Sequence, residues 1–124
     1  MKLLDERARE LSESRNSLAE RLLDEGLHTE RHPLIVFRAG GSGRRRPALV
    51  GTRLYVWQIV DTVRASGNSV HAAAEYLGLP EHHVKAAIDF YADFKDEVDR
   101  YRAEEREYQR RERARSERSQ RVLE

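Results

Sequence analysis

The five histidines, His28, His32, His71, His82 and His83, are the side chains that could ligate a metal or move a proton near neutral pH. A metal site on a helix needs a His-x-x-x-His pair with a carboxylate on the same face. His82 and His83 are adjacent, so they point to different faces, and His28 and His32 straddle an expected helix end. No metal and no other cofactor is expected. The chain has no cysteine, which removes thiolate nucleophiles, disulfides and cysteine zinc sites. Aspartate and glutamate interleave with arginine at helical intervals, the pattern of solvated helix faces. No Ser-His-Asp arrangement stands out. The chain reads as a binding module and not as an enzyme.

Arginine carries the chemistry that remains. Lysine and arginine total 23 against 22 acidic residues, but the near-neutral sum hides clustering at Arg44-Arg45-Arg46 and from Arg100 to Arg121. Guanidinium is the group best shaped for bidentate contact with phosphate or carboxylate, so the expected partner is a nucleic acid or an acidic protein groove. Arg44, Arg45 and Arg46 are placed on a glycine-rich loop, where they would clamp phosphates together with Arg53, His82 and Lys85. The preceding Gly40-Gly41-Ser42-Gly43 is not a phosphate loop, because no Lys-Ser/Thr pair follows it.

The elements that must position these residues follow from spacing. Leu3, Leu4, Ala8 and Leu11, then Leu18, Leu22, Leu23 and Leu27, recur at helical intervals on either side of the polar cluster Ser12 to Ser17. Two short helices are expected, the second capped by Ser14, Asn16 or Ser17 and ended by Gly26. Leu34-Ile35-Val36-Phe37 reads as a buried strand, with Pro47-Ala48-Leu49-Val50 pairing back. A helix is expected from about Leu54, capped by Thr52. Its Trp57 has aliphatic neighbours and so a packing role.

The firmest motif runs from Val70 to Asp89. Ser69 caps one helix, Ala73-Ala74 are small enough to admit a neighbour, and Gly78 sits where a turn needs a left-handed residue. Pro80 opens the next helix, from which Val84, Ala87 and Ile88 face back. This is helix-turn-helix spacing, with His82 and Lys85 on the exposed side. Glu81 and Asp89 share that side and oppose a phosphate lattice. The last helix is expected to run on from Glu81 through the stripe Val84, Ala87, Ile88, Tyr91, Phe94, Val98 and Tyr101. Past Tyr101 it offers only Tyr108, Val122 and Leu123, so Tyr101, Arg102, Tyr108, Val122 and Leu123 are expected to meet a protein partner.

Two resemblances add to this reading. The helices Leu4 to Leu11 and Ser14 to Glu20 resemble the helical part of ribbon-helix-helix repressors, although Met1-Lys2 leaves no room for that family's preceding strand. The stretch Pro47-Ala48-Leu49-Val50-Gly51-Thr52-Arg53-Leu54-Tyr55-Val56 resembles the opening of the antitoxin-type domain-of-unknown-function family, number 433 in that series. Val50 and Tyr55 stand where that family usually has Arg and Pro. The likeness spans Leu34 to Phe94 and includes a helix-turn-helix at the same distance. It implies an antitoxin that binds a PIN-like ribonuclease toxin encoded nearby and represses its own operon. A stand-alone regulator, or an interaction module that does not touch DNA, is the alternative.

The expected fold is therefore mainly α: a helix-turn-helix domain with a short β-hairpin, an N-terminal helical hairpin and a long C-terminal helix. The expected divisions are 1–30, 31–96 and 97–124, the last a charged tail that is partly disordered or partner-bound. No apolar run approaches the ~20 residues needed to span a bilayer, and no signal-peptide pattern is present, so a cytoplasmic homodimer is expected.

Overall fold

The computed structural model describes residues 1–124, and it is mainly helical, with six helices and one two-stranded hairpin. The contacts divide it into two compact units, Met1–Pro33 and Leu34–Glu124. No helix is long and apolar enough to cross a membrane.

The first unit is a helical hairpin of α1 (Lys2–Glu10) and α2 (Arg15–Thr29). Ser14 is the cap that forms: its hydroxyl accepts from the Ser17 amide at 3.1 Å. Gly26 does not end α2, which runs on to Thr29. A glycine costs a helix interior only about 1 kcal/mol, and here Thr29 and His28 bond back to the carbonyls of Glu25 and Asp24. Ala8 and Leu18 are buried, whereas Leu3, Leu11, Leu22, Leu23 and Leu27 are exposed.

The second unit opens with β1 (Ile35–Ala39) paired antiparallel to β2 (Arg45–Leu49), in a register that sets Ile35 against Leu49 and Ala39 against Arg45. The arginine run is thus mostly strand and not loop. The turn is shorter than expected and is closed by the Gly40 amide on the Arg44 carbonyl at 2.7 Å, with Gly43 left-handed at φ 84°. Thr52 does not cap a helix; its hydroxyl closes the tight turn after β2, accepting from the Leu54 amide at 3.0 Å. Helix α3 (Val56–Ala65) begins two residues later than expected, where the Gln58 side chain accepts from the Tyr55 amide.

Helix α4 (Val70–Leu77) is capped by Ser69 and ends on Gly78 at φ 67°, and α5 (Glu81–Asp93) follows Pro80. The core joins Ile35 and Leu49 of the hairpin to Val56, Ile59, Val60 and Val63 of α3, Ala73 and Ala74 of α4, and Val84, Ala87, Phe90 and Tyr91 of α5. Trp57 packs against it.

The last helix is not continuous from Glu81. Phe94 leaves helical geometry (φ −131°, ψ 41°), and α6 (Lys95–Val122) starts anew. Asp96 and Glu97 occupy its first turn, where acidic side chains favour a helix start. The bend lets Val98 of α6 bury in the core. Tyr91 receives a hydrogen bond from Arg64 of α3 and donates one to Asp99 of α6, at 3.0 and 2.7 Å. So α6 belongs to the second unit along its whole length, and its turns beyond Tyr108 are mostly exposed.

Candidate nucleic-acid and partner interface

The sequence-predicted residues fall into three places. The first is the exposed side of α4 and α5. His82 and Lys85 are exposed there, and His82 lies edge-on to His83 with ring centroids 4.4 Å apart. Glu75, Glu81, Asp89 and Asp93 are exposed on the same two helices. Charge on this side is therefore acidic, and phosphate docking along it is disfavoured. His71 sits between Glu81 and Glu75, its Nδ1 hydrogen-bonded to the former and its Nε2 3.2 Å from the latter. The bond to Glu81, reinforced by the charge of Glu75, raises the His71 pKa above its ordinary 6.5. A two-dimensional NMR titration is expected to place its midpoint above 6.5, and Glu81→Gln to bring it back toward that value.

The second place is the hairpin. Arg44 is exposed and pairs with Glu104 at 3.1 Å. Arg45 is exposed and donates to the Phe37 carbonyl. Arg53 is exposed on the turn leading to α3 and forms no ion pair. Arg46 departs from expectation: it is only 3% exposed and cannot meet a phosphate. Strand β2 is buried from Arg46 to Leu49, and the Arg46 guanidinium reaches Glu105 and Glu104 of α6, each at 3.3 Å. It also lies over the Tyr101 ring at 4.8 Å. Register sets Arg46 opposite Arg38, a pairing of like charges that is ordinarily unfavourable; the α6 carboxylates compensate it.

Glu105 is the centre of this latch. It is 4% exposed and accepts from the Ser42 hydroxyl at 2.5 Å as well as from Arg46. Burial pushes its carboxyl pKa up, but the Ser42 hydrogen bonds and Arg46 together pull it down by more, and the net direction is down. The fit is close at Gly40, where a Cβ would overlap the Glu105 Oε1 atom. Gly40→Ala is expected to pry Glu105 from its partners and to lower the midpoint of urea unfolding by an amount worth about 1–3 kcal/mol. An unchanged midpoint would show that the latch has slack. A groove of about 390 Å³ beside it is lined by Arg44, Arg46 and Arg111 against Glu104, Glu105 and Glu107. These charges cancel locally, so the groove offers a ligand no surplus of either sign.

The third place is α6. Tyr101 and Arg102 do not face outward for a partner as expected, because both are engaged within the chain: Tyr101 lies under Arg46, and Arg102 Nε donates to Asp61 at 2.9 Å. Tyr108 is at the boundary of exposure, while Val122 and Leu123 are fully exposed. Beyond Tyr108 the helix is sustained by pairing along its own length, with Glu107 holding Arg110 and Arg111 at 2.6 and 3.0 Å. Those arginines hold the Glu107 pKa down to about 2.

Asp61, Ser42, Glu104 and Glu105 are not among the residues that sequence reasoning singles out. The available signal is the stripe Val98, Tyr101, Glu105, Tyr108, which puts a carboxylate where helical spacing calls for an apolar residue. A scan against protein-family models finds no match for the chain, and searches of curated proteins and of solved structures return none.

Proposed function

We propose that this chain is the antitoxin of a type II toxin–antitoxin pair, which neutralises a PIN-like ribonuclease toxin encoded nearby and represses its own operon by binding DNA. The observation that carries the reading is the layout of the second unit. The Gly51-Thr52-Arg53 turn, with Gly51 at φ 73°, leads β2 into α3, and α4, a left-handed Gly78 and α5 then pack on α3. That is the arrangement implied by the family resemblance of residues 34 to 94. Tyr108, Val122 and Leu123 supply the apolar contacts to the toxin. Arg44, Arg45 and Arg53, with His82 and Lys85, are the contacts offered to DNA. The exposed leucines of α1 and α2 suit a homodimer. The cytoplasm is the compartment in which an operator and a ribonuclease would be met.

The acidic side of α4 and α5 favours a second reading, a protein-interaction module that leaves DNA alone. A gel shift on the upstream promoter separates the two. The antitoxin reading expects a shift at low salt that weakens when Arg44 and Arg45 are replaced by alanine. No shift at low salt, alongside retained binding of the neighbouring gene's product, would select the second reading.

A further inference from the structure

We infer that the exposed turns of α6, residues 109 to 121, grip the phosphate backbone of duplex DNA and are the main electrostatic contact of this protein with it. The inference rests on the DNA-binding part of the function proposed above, and it moves the principal contact from α5 to α6. Three observations carry it. The first is surplus charge. Residues 109 to 121 hold Arg110, Arg111, Arg113, Arg115, Arg118 and Arg121 against Glu112 and Glu117 alone. Arg113, Arg115, Arg118 and Arg121 are exposed and form no ion pair. Guanidinium groups held on a formed helix, with nothing of their own to neutralise, are disposed to displace counterions from a polyanion.

The second observation is what the segment lacks. Between Tyr108 and Val122 the only apolar residue is Ala114. A protein interface needs a buried core from which charged residues are depleted and in which aromatic or apolar anchors sit. Residues 109 to 121 cannot supply that core, whereas phosphate contacts need none. The partner of residues 109 to 121 is thus a nucleic acid and not an acidic protein, while the apolar toxin contacts proposed above, Tyr108, Val122 and Leu123, lie outside that segment.

The third is shape. At 100° per residue the four free arginines spread over an arc of roughly 200°, and thirteen helical residues extend about 20 Å. A helix lying in the major groove of B-form DNA has a phosphate wall on each flank, and arginines on such a wide arc reach both. The major groove of A-form RNA is too deep and narrow to admit it. The side of α5, with Glu81, Asp89 and Asp93 exposed around Lys85, has no comparable surplus.

The test is fluorescence anisotropy on the full chain with a random-sequence duplex of about 24 base pairs, across a salt series from about 50 to 300 mM. The quadruple variant Arg113→Gln, Arg115→Gln, Arg118→Gln, Arg121→Gln keeps helix propensity, and circular dichroism checks that it stays folded. The wild type is expected to bind at low salt. The variant is expected to bind more than about ten-fold more weakly there. Its slope of log K against log salt is expected to be shallower by about 3 to 4, near 0.9 for each phosphate no longer neutralised. An unchanged slope in this variant, together with weakened binding by Arg44→Gln, Arg45→Gln, Arg53→Gln, would overturn the inference and leave the DNA-binding reading standing. No binding by the wild type at about 50 mM salt would overturn that reading as well. Equal binding to an A-form RNA duplex, or tighter arginine-dependent binding to polyglutamate, would overturn the assignment to DNA.

Discussion

Glu105→Ala is expected to destabilise the protein by about 3 kcal/mol, a fall in Tm on the order of 15 °C for a unit of this size. The wild-type Arg46 side chain is buried and shares its charge between Glu105 and Glu104, with its Nε already lacking a partner. Removing Glu105 leaves a guanidinium in low dielectric with half its compensation, and also strips the Ser42 hydroxyl of its acceptor. The loss is mostly the penalty of a stranded charge and not the net worth of the pair. The double variant Arg46→Met, Glu105→Leu is therefore expected to recover most of the stability, since both charges are gone and volume is kept. A double variant no more stable than Glu105→Ala would mean instead that the pair stabilises by its mutual attraction.

The same latch sets a pH dependence. A carboxyl whose folded pKa lies below its unfolded value binds protons less readily when folded. Its contribution is full above the unfolded value, near 4.5, and is lost as pH falls through the lowered folded value. Thermal melts from about pH 6 to pH 3 are expected to show a decline that is shallower in Glu105→Gln. Parallel declines in the two proteins would assign the acid sensitivity to other carboxylates.

Phe90→Ala is expected to cost about 4 kcal/mol, read by urea unfolding monitored at Trp57. Phe90 is 1% exposed, and its ring meets that of Phe94 with centroids 4.9 Å apart, just before the bend into α6. Truncation opens a cavity where α5 is held to the core and loosens the bend that brings Val98 inward. Tyr76, 81% exposed on α4, provides the contrast: Tyr76→Ala is expected to change stability by less than about 0.5 kcal/mol. A Phe90→Ala cost below about 1 kcal/mol would mean that the helices repack freely.

Much of the architecture is legible because local signals agree with packing. Ser69, Ala73, Gly78 and Pro80 each read correctly, since cap, small contact, left-handed turn and helix start are decided within a few residues. The hairpin is legible from Ile35 and Leu49, but its length is not. Arg45 and Arg46 read as a solvated charge run, and β2 extends over them with Arg46 neutralised by Glu104 and Glu105, far along the chain. The break at Phe94 is hidden for a related reason. Phe94 and Val98 continue an apolar stripe at helical spacing, and the bend is fixed by tertiary bonds through Tyr91, Arg64 and Asp99. Of the candidate surface residues, Arg44, Arg45, Arg53, His82 and Lys85 are exposed, while Arg46, Tyr101 and Arg102 are drawn into the chain's own packing. A guanidinium or a tyrosine ring can serve either use, and the nearest neighbours in sequence do not distinguish them.

The proposed restraint of a toxin by this chain is tested by growth. The neighbouring gene is induced in a bacterial host alone and then together with this chain, and the two products are purified from the second culture. Arrest is predicted in the first culture and growth in the second, with a complex that is weakened by replacing Tyr108, Val122 and Leu123 with serine. A neighbouring product that is harmless alone, or whose toxicity is unrelieved and which does not associate with this chain, would overturn the antitoxin proposal.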